Sequence, residues 1–143
     1  MVRTLTLIHL QTGEDIIMLE ALIVDDNPIN HDVIGTLLES VGMKAIAIDS
    51  PRLIGETLDR ATNIRVIFLD LEFPQHDGFE LLKDLKADPR LAGVPIVAYS
   101  VHTSEIDRAR RLGFHSFLGK PLNAQAFASQ LERILNNEHV WEV

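Results

Sequence analysis

From Leu19 onward, short runs of consecutive apolar residues alternate with segments in which apolar residues recur every three or four positions. The short runs are typical of strands buried on both faces, and the wider spacing is typical of amphipathic helices. Repeated strand and helix units predict a parallel sheet covered by helices on both faces, and five such units fit. We therefore expect an α/β fold with a (βα)5 chain and a doubly wound, five-stranded parallel sheet. The five predicted strands are 21–24, 44–48, 65–69, 94–99 and 114–118.

The helices are predicted from their apolar stripes and their end signals. The first begins at Pro28, a residue suited to a first helical turn, and ends at Gly42. The fourth begins at a capping box formed by Ser104 and Asp107 and ends at Gly113. The second and third are predicted over 51–60 and 78–86, and the last fades at 136–137. The residues expected to face the core include Val33, Ile34, Leu37, Leu38 and Val41 in the first helix, Phe79, Leu82 and Leu85 in the third, Ile106, Ala109 and Leu112 in the fourth, and Phe127, Leu131, Ile134 and Leu135 in the last.

Composition narrows the class of protein. The chain has 143 residues, of which 46% are hydrophobic and 24% charged, which suits one folded domain with a core. A net charge of −8 argues against direct nucleic-acid binding, which needs a basic face. The absence of cysteine excludes disulfides and thiolate ligands and suits a reducing cytosol. We expect no export signal and no membrane span, and hence a cytoplasmic protein.

The two ends are the least defined parts of the pattern. We divide the chain into an N-terminal extension (1–18), a folded domain (19–137) and a C-terminal tail (138–143). In the extension, 4–7 alternates as an edge strand does, but pairing with a sheet, contact with a partner and a lead-in without consequence are all open. The tail carries the only tryptophan, Trp141, which either packs on the last helix or anchors a partner.

Polar groups follow four of the predicted strands. Asp25 and Asp26 follow the first strand, Asp70 the third, Ser100 the fourth and Lys120 the fifth. In a doubly wound sheet, ligands bind outside the carboxyl ends of the strands, where the strand order reverses. Any one of these residues alone is explained as a turn former, but the set together predicts a site.

The residue types predict the chemistry of that site. Carboxylates that converge repel one another unless a cation neutralises them, and oxygen ligands suit Mg²⁺. Asp26 and Asp70 are the first candidate ligands, followed by Asp25. An aspartate with an unperturbed pKa is ionised at neutral pH, so Asp70 is also able to attack phosphorus and form an aspartyl phosphate, while the Lys120 ammonium and the Ser100 hydroxyl bind the phosphoryl oxygens.

This ordered set resembles the receiver domain of two-component response regulators over 19–137. The match comprises Asp25-Asp26, the stretch from Asp70 through Pro74 to Asp77-Gly78, the hydroxyl of Ser100, and Lys120 followed by Pro121. The resemblance implies a flavodoxin-like sheet with the strand order 2-1-3-4-5. It also implies a phosphorelay protein that works with Mg²⁺ and that catalyses only its own phosphorylation and dephosphorylation.

Residue by residue, the resemblance implies the following roles. Asp70 accepts the phosphoryl group from a histidine kinase or a histidine phosphotransfer protein, and Lys120 binds that group. The implied Mg²⁺ ligands are Asp25, Asp26, Asp70 and the backbone carbonyl of Glu72. Ser100 and Phe117 match the switch positions, at which the hydroxyl moves toward the phosphate and the ring turns inward. Pro121 is a candidate for a cis peptide bond. A downstream protein is expected to bind the face formed by helix four, strand five and helix five, and a homodimer remains open.

Four residues depart from the commoner pattern of the family. Ser100 replaces the usual threonine and keeps the hydroxyl donor, whereas Phe117 replaces tyrosine and lacks one. Val101 stands where alanine or glycine is usual, and we expect it to slow phosphoryl exchange. The side chain of Glu72 adds a carboxylate that orients water, repels a phosphodonor or faces solvent.

Two other functions fit parts of the pattern. A phosphohydrolase with an aspartyl-phosphate intermediate needs a second acid near Asp70, and Glu72 lies two residues on. Against this function, we expect no cap domain that would enclose a substrate. A module with the receiver fold that binds its partners independently of phosphorylation is the other alternative, because Val101 and Phe117 weaken the expected switch.

Overall fold

A parallel six-stranded sheet forms the centre of the molecule. The computed structural model describes residues 9–12, 15–74 and 76–143. The strands of this sheet lie in the order β4-β3-β5-β6-β7-β8, and a separate antiparallel hairpin, β1-β2, precedes them in the chain. The strand bounds are β1 His9–Thr12, β2 Asp15–Met18, β3 Glu20–Val24, β4 Lys44–Ile48, β5 Ile64–Asp70, β6 Ile96–Ser100, β7 Ser116–Gly119 and β8 Trp141–Glu142.

The predicted α/β fold and its strand order are confirmed. The five predicted strands correspond to β3 to β7, and their order in the sheet is 2-1-3-4-5 in the predicted numbering. The sixth strand, β8, was not predicted. It lies in the C-terminal tail and pairs in parallel with β7, with Phe117 beside Trp141 and Leu118 beside Glu142.

Helices cover both faces of the sheet and bury a core on each. On one face, Ile34, Leu38, Phe127 and Leu131 pack against Phe68 and Tyr99 of the sheet. On the other face, residues of the three middle helices, such as Leu58, Leu82 and Ala109, pack against the opposite sides of the same strands. The helix bounds are α1 Pro28–Ser40, α2 Ile54–Arg60, α3 Gly78–Ala87, α4 Ile106–Leu112 and α5 Ala124–Leu135, and short 3-10 turns at Pro51–Leu53, Pro89–Leu91 and Thr103–Glu105 stand before α2, after α3 and before α4.

Three details of the helix predictions were wrong. Val33 and Leu112 are 46% and 49% exposed, although both were expected to face the core. Val33 precedes Ile34 by one residue and therefore points about 100° away from it. Leu112 lies six residues after Ile106, which is about 120° short of two full turns, so it points about 120° away from Ile106. Among the described residues, no side chain caps α4, because the 3-10 turn Thr103–Glu105 takes the place of the expected capping box.

The predicted edge strand at 4–7 lies outside the described residues. The hairpin that follows it pairs His9 with Met18 and Thr12 with Asp15. None of the helices in the described part of the chain has the length and apolar character needed to cross a membrane.

Candidate functional site

The predicted site residues lie together at the carboxyl ends of the strands. Asp70 is the last residue of β5, and Ser100 is the last residue of β6. Asp25 directly follows β3, and Lys120 directly follows β7. Because β3, β5, β6 and β7 run parallel and adjacent, their carboxyl ends bring these side chains to one edge of the sheet.

Three carboxylates form an acidic cluster at this edge. One oxygen from each of Asp25, Asp26 and Asp70 lies within 4.8 Å of the other two. Asp25 and Asp70 are buried, whereas Asp26 is exposed and opens the cluster to solvent. A set of oxygen donors with one open side is the arrangement in which Mg²⁺ keeps part of its water shell, so the residues present fit this ion.

Lys120 neutralises much of the negative charge. Its ammonium lies 2.8 Å from Oδ1 of Asp70, 3.2 Å from Oε1 of Glu72 and 3.6 Å from Oδ2 of Asp25. It also lies 4.5 Å from the centre of the Tyr99 ring. Burial alone lowers the pKa of this amine, but the hydrogen bond and charge of Asp70, with the charges of the other carboxylates, outweigh burial and raise it. Lys120 is therefore a fixed positive charge at the centre of the site.

Asp25 is held by donors from three parts of the chain. Its Oδ1 accepts the Asn27 backbone N–H at 2.9 Å, and its Oδ2 accepts the Asn30 amide at 2.9 Å and the Tyr99 hydroxyl. Burial raises the pKa of Asp25, but these hydrogen bonds and the charge of Lys120 prevail and hold the pKa below its usual value. Asp25 is therefore ionised throughout the physiological range.

Asp70 has fewer donors and a different pKa. Its Oδ1 accepts the Lys120 ammonium at 2.8 Å and the Glu72 backbone N–H at 3.0 Å. Among the described residues, none donates a hydrogen bond to Oδ2. Burial is the largest influence and, with the nearby charge of Asp25, raises the pKa of Asp70 to about 6 despite the opposing effect of Lys120.

The side chain of Glu72 lies in the site, which the sequence left open. Its Oε2 accepts the Ser100 hydroxyl at 2.6 Å and the Val101 backbone N–H at 2.9 Å. Its Oε1 accepts the Lys120 ammonium at 3.2 Å. Burial raises the pKa of Glu72, but the hydrogen bond from Ser100 and the charge of Lys120 lower it further than burial raises it. The Val101 side chain, by contrast, is 54% exposed.

Sequence reasoning missed the contact between Tyr99 and Asp25. Tyr99 was placed only as a strand residue, yet its ring is fully buried and its hydroxyl donates to the Asp25 carboxylate. A signal was present, because a tyrosine inside an apolar strand needs a partner for its hydroxyl. The sequence does not say which of several polar groups that partner is.

The two remaining predicted residues lie next to the site. The Lys120–Pro121 peptide bond is cis. Phe117 is fully buried in β7, and its backbone N–H donates to the Val140 carbonyl at 2.8 Å. The C-terminal tail therefore contacts the strand that carries the predicted switch aromatic.

Comparisons with known proteins identify the family of this chain. A family model described as the response regulator receiver domain matches residues 21–132. The two-component response regulator ORR5 of Oryza sativa subsp. japonica is 32% identical over 116 residues, which cover 80% of this chain and 87% of that protein.

Solved structures show the same fold. The chemotaxis response regulator CheY4 of Vibrio cholerae superposes with a TM-score of 0.72 at 23% identity, covering 82% of this chain and 99% of that one. The receiver domain of the sensor histidine kinase PA1611 from Pseudomonas aeruginosa PAO1, solved with a magnesium ion coordinated in the active site cleft, superposes with a TM-score of 0.67 at 28% identity, covering 82% and 94%. With the family model spanning most of its length, this chain belongs to the response regulator receiver domain family.

Proposed function

We propose that this receiver domain accepts a phosphoryl group on Asp70 and thereby changes its binding to a partner protein. The observation that carries the proposal is the position of the Lys120 ammonium, 2.8 Å from Asp70, beside three carboxylates that converge within 4.8 Å. A buried carboxylate next to a fixed positive charge and a cation site is suited to phosphoryl transfer, which depends on positioning and charge neutralisation.

The transfer uses the free oxygen of Asp70. Oδ2 attacks the phosphorus of a phosphohistidine, so that an O–P bond forms while the P–N bond breaks. The departing imidazole nitrogen keeps the electron pair of the broken bond and takes a proton from solvent. Lys120 stabilises the charge on the phosphoryl oxygens, and the Ser100 hydroxyl donates a hydrogen bond to one of them.

The acidic cluster supplies the ligands for Mg²⁺ in this proposal. Asp25, Asp26, Asp70 and the backbone carbonyl of Glu72 would hold the ion. When bound, the ion neutralises charge on the carboxylates and the phosphoryl oxygens. Support comes from the oxygen-only donor set and from the PA1611 receiver domain, whose structure holds magnesium in its active site cleft.

The donor in this proposal is a histidine kinase or a histidine phosphotransfer protein. The receiving partner binds the face formed by α4, β7 and α5, which adjoins Ser100 and Phe117; because β8 pairs with β7, the sheet edge that this face presents is β8. The net charge of −8 supports a protein partner over a nucleic acid.

The test is labelling by a small phosphodonor, acetyl phosphate, with and without Mg²⁺. We expect wild type to gain one acid-stable, alkali-labile phosphoryl group in the presence of Mg²⁺, and Asp70→Asn to gain none. Asp84→Asn, which changes an exposed aspartate on α3, is the matched control and should label like wild type. Labelling of Asp70→Asn to the wild-type level would reject the proposal, as would the failure of wild type to be labelled.

A further inference from the structure

The Glu72 carboxylate is bound by three donors that belong to other elements. Ser100 and Val101, at the end of β6, donate to Oε2 at 2.6 and 2.9 Å. Lys120, after β7, donates to Oε1 at 3.2 Å. Both oxygens of this side chain are thus engaged.

Two of these donors are each able to donate only one hydrogen bond. The Val101 backbone has one N–H, and the Ser100 hydroxyl has one O–H. The Ser100 oxygen also accepts the His102 backbone N–H at 2.9 Å, which further fixes the hydroxyl. While Glu72 accepts both protons, neither donor is available to another anion at the same place.

A phosphoryl group on Asp70 needs two of the same donors, because in the proposed function Lys120 and Ser100 bind its oxygens. Lys120 contacts Asp70 and Glu72 at once, at 2.8 and 3.2 Å, so the Glu72 carboxylate lies directly beside the phosphoacceptor. A phosphoryl group carries up to two negative charges, and the Glu72 carboxylate repels it. The Glu72 carboxylate and the phosphoryl group therefore compete for the same space as well as for the same hydrogen-bond donors.

Glu72 is the member of the group that is able to move. Asp70 and Ser100 are 2% and 0% exposed, whereas the Glu72 side chain is 24% exposed. A side chain at the surface is able to rotate into solvent, and water then replaces its hydrogen bonds at little cost. The exposed His102 ring lies 3.7 Å from Oε2 of Glu72.

We propose that the Glu72 carboxylate is an internal competitor of the phosphoryl group, which binds Ser100, Val101 and Lys120 in the unphosphorylated protein and must leave them before phosphorylated Asp70 is stabilised. The inference rests on the proposed phosphoacceptor role of Asp70. It assigns Glu72 the part of a positioning residue that sets how readily the site takes a phosphoryl group.

The test uses beryllium trifluoride with Mg²⁺, a phosphoryl mimic, on the full chain. Removal of the competitor in Glu72→Ala should tighten binding of the mimic by at least about tenfold, which is about 1.4 kcal/mol. Glu72→Gln keeps the shape and one acceptor oxygen but not the charge, so it should bind more tightly than wild type by a smaller factor. Glu56→Ala is the control, because it removes the same charge from an exposed position where Glu56 contacts Arg60.

A second measurement reports on Glu72 without any mimic. In nitrogen-15 NMR spectra, the Val101 amide signal should shift in Glu72→Ala and stay in place in Glu56→Ala. An unmoved Val101 signal in Glu72→Ala would overturn the proposal.

The outcomes also separate this proposal from the function on which it rests. Equal affinity for the mimic in wild type and in Glu72→Ala overturns the competition and leaves the phosphoacceptor role of Asp70 intact. Absence of binding in all four proteins, each shown to be folded by circular dichroism, overturns both.

Discussion

Asp25 and Asp70 are two buried aspartates at the same edge of the sheet, yet their surroundings differ. Asp25 accepts hydrogen bonds from Asn27, Asn30 and Tyr99, and its pKa is lowered. Asp70 accepts hydrogen bonds from Lys120 and the Glu72 backbone, and its pKa is raised to about 6. Equal burial therefore does not give equal ionisation.

This difference in hydrogen bonding and pKa suits the two aspartates of the acidic cluster to two different roles. A carboxylate with many donors stays charged and keeps its position, which suits a permanent cation ligand. A carboxylate with one unengaged oxygen and a weaker hold on its charge suits a nucleophile whose state changes. The donors that make the difference come from the loop after β3, from the first turn of α1 and from the single tyrosine of the chain.

The largest effect on this comparison should come from removal of the shared cation. Lys120→Met removes the ammonium that lies 2.8 Å from Asp70 and 3.6 Å from Asp25. Asp25 keeps its other hydrogen-bond donors. Because removing one partner of a buried ion pair leaves an uncompensated charge, we expect a loss of ~3 kcal/mol in the free energy of unfolding at pH 7. Urea unfolding measures it, and the loss should shrink at pH 5, where Asp70 is protonated.

An exposed ion pair provides the control for this loss. Lys44 lies 3.8 Å from Glu20 and its side chain is 61% exposed, so Lys44→Met should change the free energy of unfolding by less than about 1 kcal/mol. Similar losses of unfolding free energy in Lys44→Met and Lys120→Met would contradict the inference that the buried ammonium of Lys120 stabilises the site.

A smaller effect should follow when Asp25 is made more like Asp70. Tyr99→Phe keeps the buried ring and removes the hydroxyl that donates to Asp25. Since a hydrogen bond to a charged group contributes about 1.5–3 kcal/mol, we expect a loss of ~2 kcal/mol in the free energy of unfolding and a higher pKa for Asp25. Urea unfolding and carboxyl carbon-13 NMR titration measure the two. An unchanged Asp25 titration would show that the remaining donors suffice.

The smallest expected effect is the pH dependence of Mg²⁺ binding, which should also distinguish Asp70 from Asp25. A proton on Asp70, whose pKa is about 6, competes with Mg²⁺. As the pH falls from 6 to 5, the affinity for Mg²⁺ should therefore fall about fivefold, and above pH 7 this group should add almost no dependence. Asp25 is ionised over this range and contributes none. Isothermal titration calorimetry measures the slope, which Asp70→Asn should flatten; a slope that persists in this variant would assign the proton to another group.

The sheet was predictable because its strands are buried on both faces and read as continuous apolar runs. Strand β4 was predicted with its observed bounds, Lys44–Ile48, and helix α1 begins at Pro28 as expected. Strand β8 was not predicted, because its two residues carry no periodic pattern and pair only through their position beside β7. Single residues such as Val33 and Leu112 were misplaced because an apolar side chain is tolerated on the solvent face.

The members of the site were predictable for a different reason. Each of them lies at or just after the carboxyl end of a strand, and parallel strands bring their carboxyl ends together; they are Asp25, Asp26, Asp70, Ser100 and Lys120. The contacts of Glu72 and Tyr99 were not predictable, because they depend on where side chains point across 28 and 74 residues of sequence. Topology brings backbones together, but rotamers decide which polar atoms meet.

Strand β8 is the edge strand of the sheet beside β7, so a polypeptide that binds at this edge would contact β8 first. The rim is Trp141–Glu142, and the Glu142 carboxylate is tied to Gln130 and Arg133 of α5 at 2.8 Å each. A peptide that lengthened the sheet here would find a ladder of only two residues, too short to hold it by main-chain pairing alone. Recognition along this rim would fall to side chains, foremost the indole of Trp141, on which the Arg110 guanidinium rests 4.8 Å from the ring centre.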